Sequence, residues 1–343
     1  MGSSSTVRVL DSVTYDNFAD YGGSDRKNGI ILDGQRYMVK FQEREAPRNV
    51  NQTSNVNNVV AEYLSSHIAS TLALPAHETL IVSIGDELAV ACKNFELPGT
   101  RHIDFDRFMH RHYDSKDVGR HPTLSQIREV LSTDRQLAPA FEENERSFWD
   151  MFVFDALVGN YDRHGGNWGY LARADSDIAR QSPLYDNAST FYPAVSEDYM
   201  PKIMASAKEV AKRVLLFPNS AIEHAGHRAS YYDVLLSGWQ GPTTAVGRVV
   251  PRVDERRILA TIDETPMSDV RKAFYKTMVL ARLELLLYPA LEHARSGRFD
   301  KRSARRLREG SQMTADDFEC LWQESRGRDT LLGAFRETYS PIT

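Results

Sequence analysis

Asp162, Asn167 and Asp186 are the residues of this sequence best suited to chemistry. The stretch Leu157-Val-Gly-Asn-Tyr-Asp-Arg-His-Gly-Gly-Asn-Trp-Gly-Tyr-Leu171 carries an apolar helix into a glycine- and asparagine-rich loop. That loop packs Asp162, Arg163, His164 and Asn167 close together, and a plain connection needs no such set. Phosphoryl transfer does. One carboxylate must meet the attacking hydroxyl, and a neutral oxygen ligand nearby must help to hold magnesium. Asp162 and Asn167 stand five residues apart (167 − 162 = 5), the Asp-x-x-x-x-Asn spacing that such chemistry uses. His164 has two readings. It orients Asp162 or helps to move a proton, or it is a structural hydrogen-bonding histidine.

The second metal ligand is expected after a hairpin. Trp168–Leu171 reads as the outgoing strand, Ala172–Ser182 as a polar turn and Pro183–Tyr185 as the return. Asp186 falls at the end of that return, where its carboxylate could share magnesium with Asn167, since magnesium prefers oxygen ligands. Taken alone, an aspartate there reads equally as a cap or turn residue. Earlier in the chain, Lys40 lies in Tyr-Met-Val-Lys-Phe and Glu62 in the helix that follows. A strand lysine held by a helix glutamate is the kinase device for gripping the α- and β-phosphates. Singly, each also reads as an exposed residue of its element. Gly22-Gly-Ser-Asp-Arg-Lys-Asn-Gly29 reads as a phosphate cover, with Ser24, Asp25, Arg26 and Lys27 facing the nucleotide, or as a plain hairpin turn. It is neither Gly-x-Gly-x-x-Gly nor a Walker A loop.

The elements that must position these residues follow from periodicity. Residues 1–97 read as a small β-rich lobe with one helix. Gly29–Phe41 forms a hairpin about Asp33-Gly34, with Tyr37, Val39 and Phe41 alternating on the return strand. Arg44–Asn58 is polar and asparagine-rich, hence a loop. Val59, Leu64, Ile68 and Leu72 recur at near-helical spacing over Asn58–Leu72, and Pro75 follows. Strands are expected at Glu78–Ile84 and Glu87–Phe95, joined by Gly85-Asp86. Pro98-Gly99 marks the lobe boundary, and residues 98–343 read as mostly helical. Helices are expected at Ser147–Val158, Asp269–Leu291, Ala315–Glu324 and Thr330–Tyr339. The Arg- and Lys-rich segment Phe299–Gly310 reads as a solvated helical face. His102, His110, His112 and His121 fit no metal-site spacing and read as surface residues of a helical segment. Trp168 and Phe191 read as core aromatics.

Composition narrows the class. The 343 residues, 41% hydrophobic and 26% charged, suit two domains or one bilobal unit. A net charge of −5 argues against a dedicated nucleic-acid binder. Two cysteines, Cys92 and Cys320, make no disulfide framework, which favours a reducing cytoplasm and leaves delivery into another cell open. No apolar run approaches the roughly 20 residues of a membrane span.

Taken in order, these segments resemble the HipA-like serine/threonine kinases, a bacterial group distantly related to eukaryotic protein and lipid kinases. The resemblance runs from about Tyr21 through the large lobe. It rests on Tyr37-Met-Val-Lys-Phe41, Ala61-Glu-Tyr63, Asn160-Tyr-Asp-Arg-His-Gly-Gly-Asn167 and Leu184-Tyr-Asp-Asn187. It implies a two-lobed α+β protein-kinase-like fold, with ATP and magnesium between the lobes. It further implies Asp162 as the catalytic residue, Asn167 and Asp186 as metal ligands, Lys40 as the ATP contact and Glu62 as its partner. The hinge that holds adenine would be Lys93-Asn94-Phe95-Glu96. The acceptor it implies is a serine or threonine of a protein. Self-labelling is expected on at least one small-lobe serine or threonine, since Ser3–Ser5 and Ser24 read as exposed hydroxyls near the nucleotide side. A lipid or small-molecule kinase and a non-catalytic pseudokinase are the alternatives. Larger members carry an extra N-terminal subdomain for which this chain has no room, so the likeness is to the short, stand-alone CtkA-like type. An antitoxin-type partner is not carried over.

Overall fold

The computed structural model describes residues 7–16, 27–42, 58–114, 121–173, 176 and 178–325. Its first sheet contains β1 (Val7–Leu10), β2 (Thr14–Tyr15), β3 (Lys27–Leu32) and β4 (Gln35–Phe41), then β5 (Thr79–Ile84) and β6 (Glu87–Lys93) after the helix α1 (Asn58–Thr71). The strand order is β1-β5-β6-β4-β3-β2. Only the β1–β5 pair is parallel. The expected hairpin is β3–β4. Asp33 and Gly34 both take positive φ, 50° and 74°, the turn whose twist matches that of the flanking strands. Tyr37, Val39 and Phe41 pack with Ile30, Val82 and Ala89 on one face of the sheet. The other face, with Ile81, Val90 and Cys92, lies against Val59 of α1. Strand alternation assigns Lys40 to this second face.

The large lobe opens with β7 (Thr100–Asp104), α2 (Phe105–His112), α3 (Leu124–Thr133) and α4 (Phe141–Val158). β8 (Gly169–Arg173) and β9 (Ala179–Gln181) complete a three-stranded antiparallel sheet in the order β7-β8-β9. Then come α5 (Met200–Met204), α6 (Ala207–Leu215), the hairpin β10 (Asn219–His224) and β11 (His227–Ser230), and α7 (Tyr231–Leu236). The rest is helical: α8 (Gln240–Val249), α9 (Glu255–Glu264), α10 (Asp269–Arg282), α11 (Tyr288–Ser296), α12 (Lys301–Glu309) and α13 (Ala315–Ser325). Their apolar faces form one core that includes Phe148, Phe152, Trp168, Phe191 and Phe274. Val60, Leu64 and Ile68 reach into it from α1, and Leu72 from just past its end, so this helix packs against both lobes. The architecture is the two-lobed α+β one expected. Among the described residues no helix is long and apolar enough to cross a membrane.

Several local expectations are corrected. The return strand is β9, earlier than Pro183–Tyr185. Pro183 has no N–H to donate to a ladder, and Leu184 instead bridges to Ala76. α4 starts at Phe141 because its first turn, with Glu142 and Glu143, is acidic rather than apolar. The helix expected over Asp269–Leu291 contains a π-helical segment, Leu283–Leu287, in which the Tyr288 N–H reaches the Leu283 carbonyl. Pro289 explains it, since proline removes a donor and crowds the carbonyl one turn back. The basic segment near α12 is not wholly a solvated face: Arg306 is buried and its guanidinium clasps Asp233. The expected Arg44–Asn58 loop lies largely, and the Thr330–Tyr339 helix wholly, outside the described residues.

The two cysteines differ in a way that reports on the small lobe. Cys92 is buried in β6 and Cys320 is exposed. Burial first, then the Glu62 charge, pushes the Cys92 thiol well up, and only a thiolate is nucleophilic. A water-soluble maleimide is expected to modify Cys320 alone in the native protein and both thiols in denaturant. Mass spectrometry showing rapid native labelling of Cys92 would contradict the packing of this sheet on α1.

Candidate active site

Lys40 projects from β4 into a buried space between the sheet and α1. Its Nζ lies 2.8 Å from Glu62 Oε2 and 2.8 Å from Asp186 Oδ1. The Lys40 and Glu62 side chains are almost wholly buried, whereas that of Asp186 is 27% exposed. Burial alone would lower the Lys40 pKa, but the Asp186 and Glu62 charges outweigh it and hold the ammonium well above its usual value. Burial likewise works to raise Glu62 and Asp186, and the Lys40 charge overrides it, so both carboxyls sit below their ordinary range. The other oxygen of Glu62 accepts the Asn187 N–H at 2.8 Å and lies 3.0 Å from His77 Nε2.

The loop after α4 is fixed from within. Gly159 ends the helix in the left-handed region, φ 69°, where glycine is the default residue. The Asp162 N–H donates to Asn160 Oδ1, and the Asp162 carbonyl accepts from the His164 N–H and from Asn167 Nδ2. The Asp162 side chain is half-buried. Because Asn167 uses its Nδ2 on this carbonyl, its Oδ1 remains as the acceptor end of the amide. His164 Nδ1 accepts the Gly166 N–H at 3.1 Å and caps the short turn Gly165–Asn167. A Cβ at Gly165 would come within 2.0 Å of Asp106 Oδ1 on α2 and 3.2 Å of the Asp106 backbone nitrogen, so a larger residue there would displace the Asp106 side chain.

Arg163 joins this loop to the segment that carries Asp186. Its Nε and Nη2 bind the two oxygens of Asp155, at 3.0 and 2.9 Å. Nη1 donates to the carbonyls of Asn167 and Tyr185, at 2.7 and 2.6 Å, and Nη2 also reaches Asn187 Oδ1. All five guanidinium N–H donors are therefore used. One nitrogen of Arg163 thus ties the backbone of Asn167 to that of the residue before Asp186. Asp186 itself has φ 53°, a conformation that non-glycine residues rarely hold without such support.

Lys40, Glu62 and Asp186 are brought into direct contact, and Asp162, His164 and Asn167 share one loop. Lys27 stands opposite Lys40 in the β3–β4 ladder. Ser24, Asp25 and Arg26, like Ser3–Ser5, lie outside the described residues. Beyond β6, Asn94 Oδ1 accepts the Glu96 N–H, and Glu96 Oε1 accepts the His102 N–H. The Phe95 ring lies 5.4 Å from that of His102 and 5.8 Å from that of Tyr185. His102 is thus not a surface residue of a helix. It sits on β7, half-buried against two aromatic rings, and burial lowers its pKa. Among the described residues no three His, Cys, Asp or Glu side chains are grouped to hold a metal.

Sequence reasoning left Arg163 and Asn187 without a role and passed over Asp155 and His77. The signal for Asp155 was present: a lone carboxylate in Phe152-Val-Phe-Asp-Ala-Leu-Val158 must find a partner if buried. Arg163 is the nearest cation after it. His77 and Asn187 carry no such signal, because their contacts depend on how distant segments meet.

The profile of the HipA-like C-terminal domain family matches residues 19–265. The serine/threonine-protein kinase CtkA of Helicobacter pylori strain J99 is 30% identical over 261 residues, which are 75% of this chain and 79% of that protein. The crystal structure of a Helicobacter pylori proinflammatory kinase CtkA superposes with a TM-score of 0.77 at 28% identity, covering 84% of this chain and 98% of that one. HipA of Shewanella oneidensis MR-1, solved with HipB and operator DNA, gives a TM-score of 0.53 at 17% identity, covering 82% of this chain and 68% of that one, and shares the fold. Matched over most of its length by the domain profile and by CtkA, the chain belongs to the HipA-like kinase family.

Proposed function

We propose that this chain is an ATP- and magnesium-dependent serine/threonine protein kinase that also phosphorylates itself. The observation that carries the reading is Lys40 Nζ shared between Glu62 and Asp186 at 2.8 Å each. A buried ammonium held by a helix carboxylate next to an accessible aspartate is what phosphate gripping beside a metal requires. The donor set fits magnesium: an amide oxygen from Asn167 and a partly exposed carboxylate from Asp186, both hard oxygen ligands. Held by Asn167 and Asp186, magnesium would offset the negative charge that develops on the phosphates.

This chain's own residues supply the rest. Lys40 places a fixed positive charge on the phosphates, with Glu62 preventing its retreat. The segment Asn94–Glu96, which follows β6, holds the adenine side of ATP, and Lys27 adds charge at the mouth of the β3–β4 hairpin. Asp162, its backbone fixed by three hydrogen bonds, accepts or orients the proton of the acceptor hydroxyl. His164 sets the turn that presents Asn167. The gain in rate comes from positioning and charge complementarity. The acceptor is a serine or threonine of a protein, the class that the name of CtkA states for that relative.

Calorimetry with ATP in magnesium buffer is expected to show saturable binding. Incubation with γ-labelled ATP should label an added protein acceptor and the chain itself, and mass spectrometry should place phosphate on Ser3–Ser5 or Ser24. Self-labelling confined to the large lobe removes the autophosphorylation sites from the proposal. Absence of binding at millimolar nucleotide overturns it entirely.

A further inference from the structure

We infer that His77 is a positioning residue that controls the hold of Lys40 through Glu62. The inference rests on the kinase reading above. His77 is 4% exposed, and its Nε2 lies 3.0 Å from Glu62 Oε1, off the line of an ideal hydrogen bond. No hydrogen-bond partner serves that nitrogen among the described residues. A buried ring nitrogen without a polar neighbour is costly, so the carboxylate is the group that accounts for its orientation. The ring is also fixed from its backbone. The His77 N–H donates to the Leu184 carbonyl at 3.0 Å, and the Leu184 N–H donates to Pro75 at 2.8 Å. Leu184 is two residues before Asp186, so the segment that carries Asp186 also fixes the backbone of His77.

The consequence concerns how Lys40 is divided between its partners. Glu62 Oε2 holds the ammonium, Oε1 accepts the Asn187 N–H, and His77 Nε2 lies 3.0 Å from that same oxygen as a close electrostatic contact. Lys40 and the Asn187 N–H anchor one oxygen each, and His77 adds to the hold on Oε1. Without His77, Oε1 keeps the Asn187 N–H alone, and that side of the carboxylate is held less firmly. The ammonium then rests mainly on Asp186, whose carboxylate the metal needs. Loss of His77 therefore weakens nucleotide and magnesium binding together, and leaves the acceptor side at Asp162 unaltered.

The test compares His77→Ala, His77→Gln and His77→Asn by calorimetry with ATP over a magnesium series, alongside steady-state kinetics. The Gln amide reaches where Nε2 lies, and the Asn amide stops one carbon short. For His77→Ala we expect the Kd for ATP and the magnesium concentration for half-saturation to rise about tenfold, with kcat within about threefold, the scale of losing one buried polar contact to a charged group. His77→Gln should return both to within about threefold of the parent protein on the same scale. A general packing defect would not shift magnesium dependence selectively, nor be repaired by Gln and not by Asn. Unchanged binding in His77→Ala, a loss confined to kcat, or equal losses in Gln and Ala overturns the inference. Should His77→Ala not fold, the order of Gln and Asn decides, and equality or reversal of the two overturns it. A parent protein that binds no nucleotide removes the kinase reading itself, an outcome distinct from parent binding with unaltered variants.

Discussion

Asp162→Asn is expected to slow phosphoryl transfer by a factor of about 10²–10⁴, the range for a positioned proton acceptor, while Mg-ATP still binds. The expectation follows from how Asp162 is held. Its three backbone hydrogen bonds run to Asn160, His164 and Asn167, and an isosteric amide disturbs none of them. The lysine, the second carboxylate and the Asn167 amide all remain in place. Asp186→Asn should behave differently. It removes the carboxylate proposed as a metal ligand, which is also one of the two on Lys40 Nζ, so affinity and transfer should both fall. Raised magnesium should restore part of the loss, because binding of a hard cation depends on the negative charge around it. Parallel calorimetry and labelled-ATP kinetics separate the two variants. Nucleotide binding lost in Asp162→Asn and intact in Asp186→Asn would mean that the two roles are interchanged.

The site was legible in the sequence where chemistry coincides with local pattern. Lys40 alternates with Val39 and Phe41 on one strand, and Glu62 lies on a helix whose apolar spacing is plain. Asp162 and Asn167 are separated by a spacing that a single loop can express. What pattern could not show is the joining of these parts. Asp186 reaches Lys40 across 146 positions of sequence, and His77 reaches Glu62 only because Leu184 pairs with the segment Pro75–His77. No periodicity encodes such contacts. The errors in the fold have similarly local causes. Pro183 ended a ladder that was expected to continue through it, and Pro289 turned a long helix through a π segment. His102 and Arg306 were read as solvated because polar type was taken as a guide to exposure, whereas tertiary partners decided it: two aromatic rings for one and Asp233 for the other.

Arg163 carries the other large effect. Removing one member of a buried ion pair leaves an uncompensated charge and costs about 3–5 kcal/mol. Arg163→Met does this to Asp155, whose side chain is 3% exposed, and a urea titration should show a loss of that size. Arg163→Lys keeps the charge but not the planar fork. An ammonium has three donors where Arg163 serves Asp155, Asn167, Tyr185 and Asn187 with five, so this variant should also lose stability and transfer. The double change Asp155→Leu with Arg163→Met separates the two functions of the arginine. With both charges gone, the apolar pair should cost less stability than the sum of the single changes. Transfer should stay low, because the Asn167 and Tyr185 carbonyls are still untied, and a displacement on the order of 1 Å can cost about 10²-fold in rate. A double variant that regains both stability and transfer would show that the arginine only fills the core, and that Asn167 and Asp186 are aligned by some other contact.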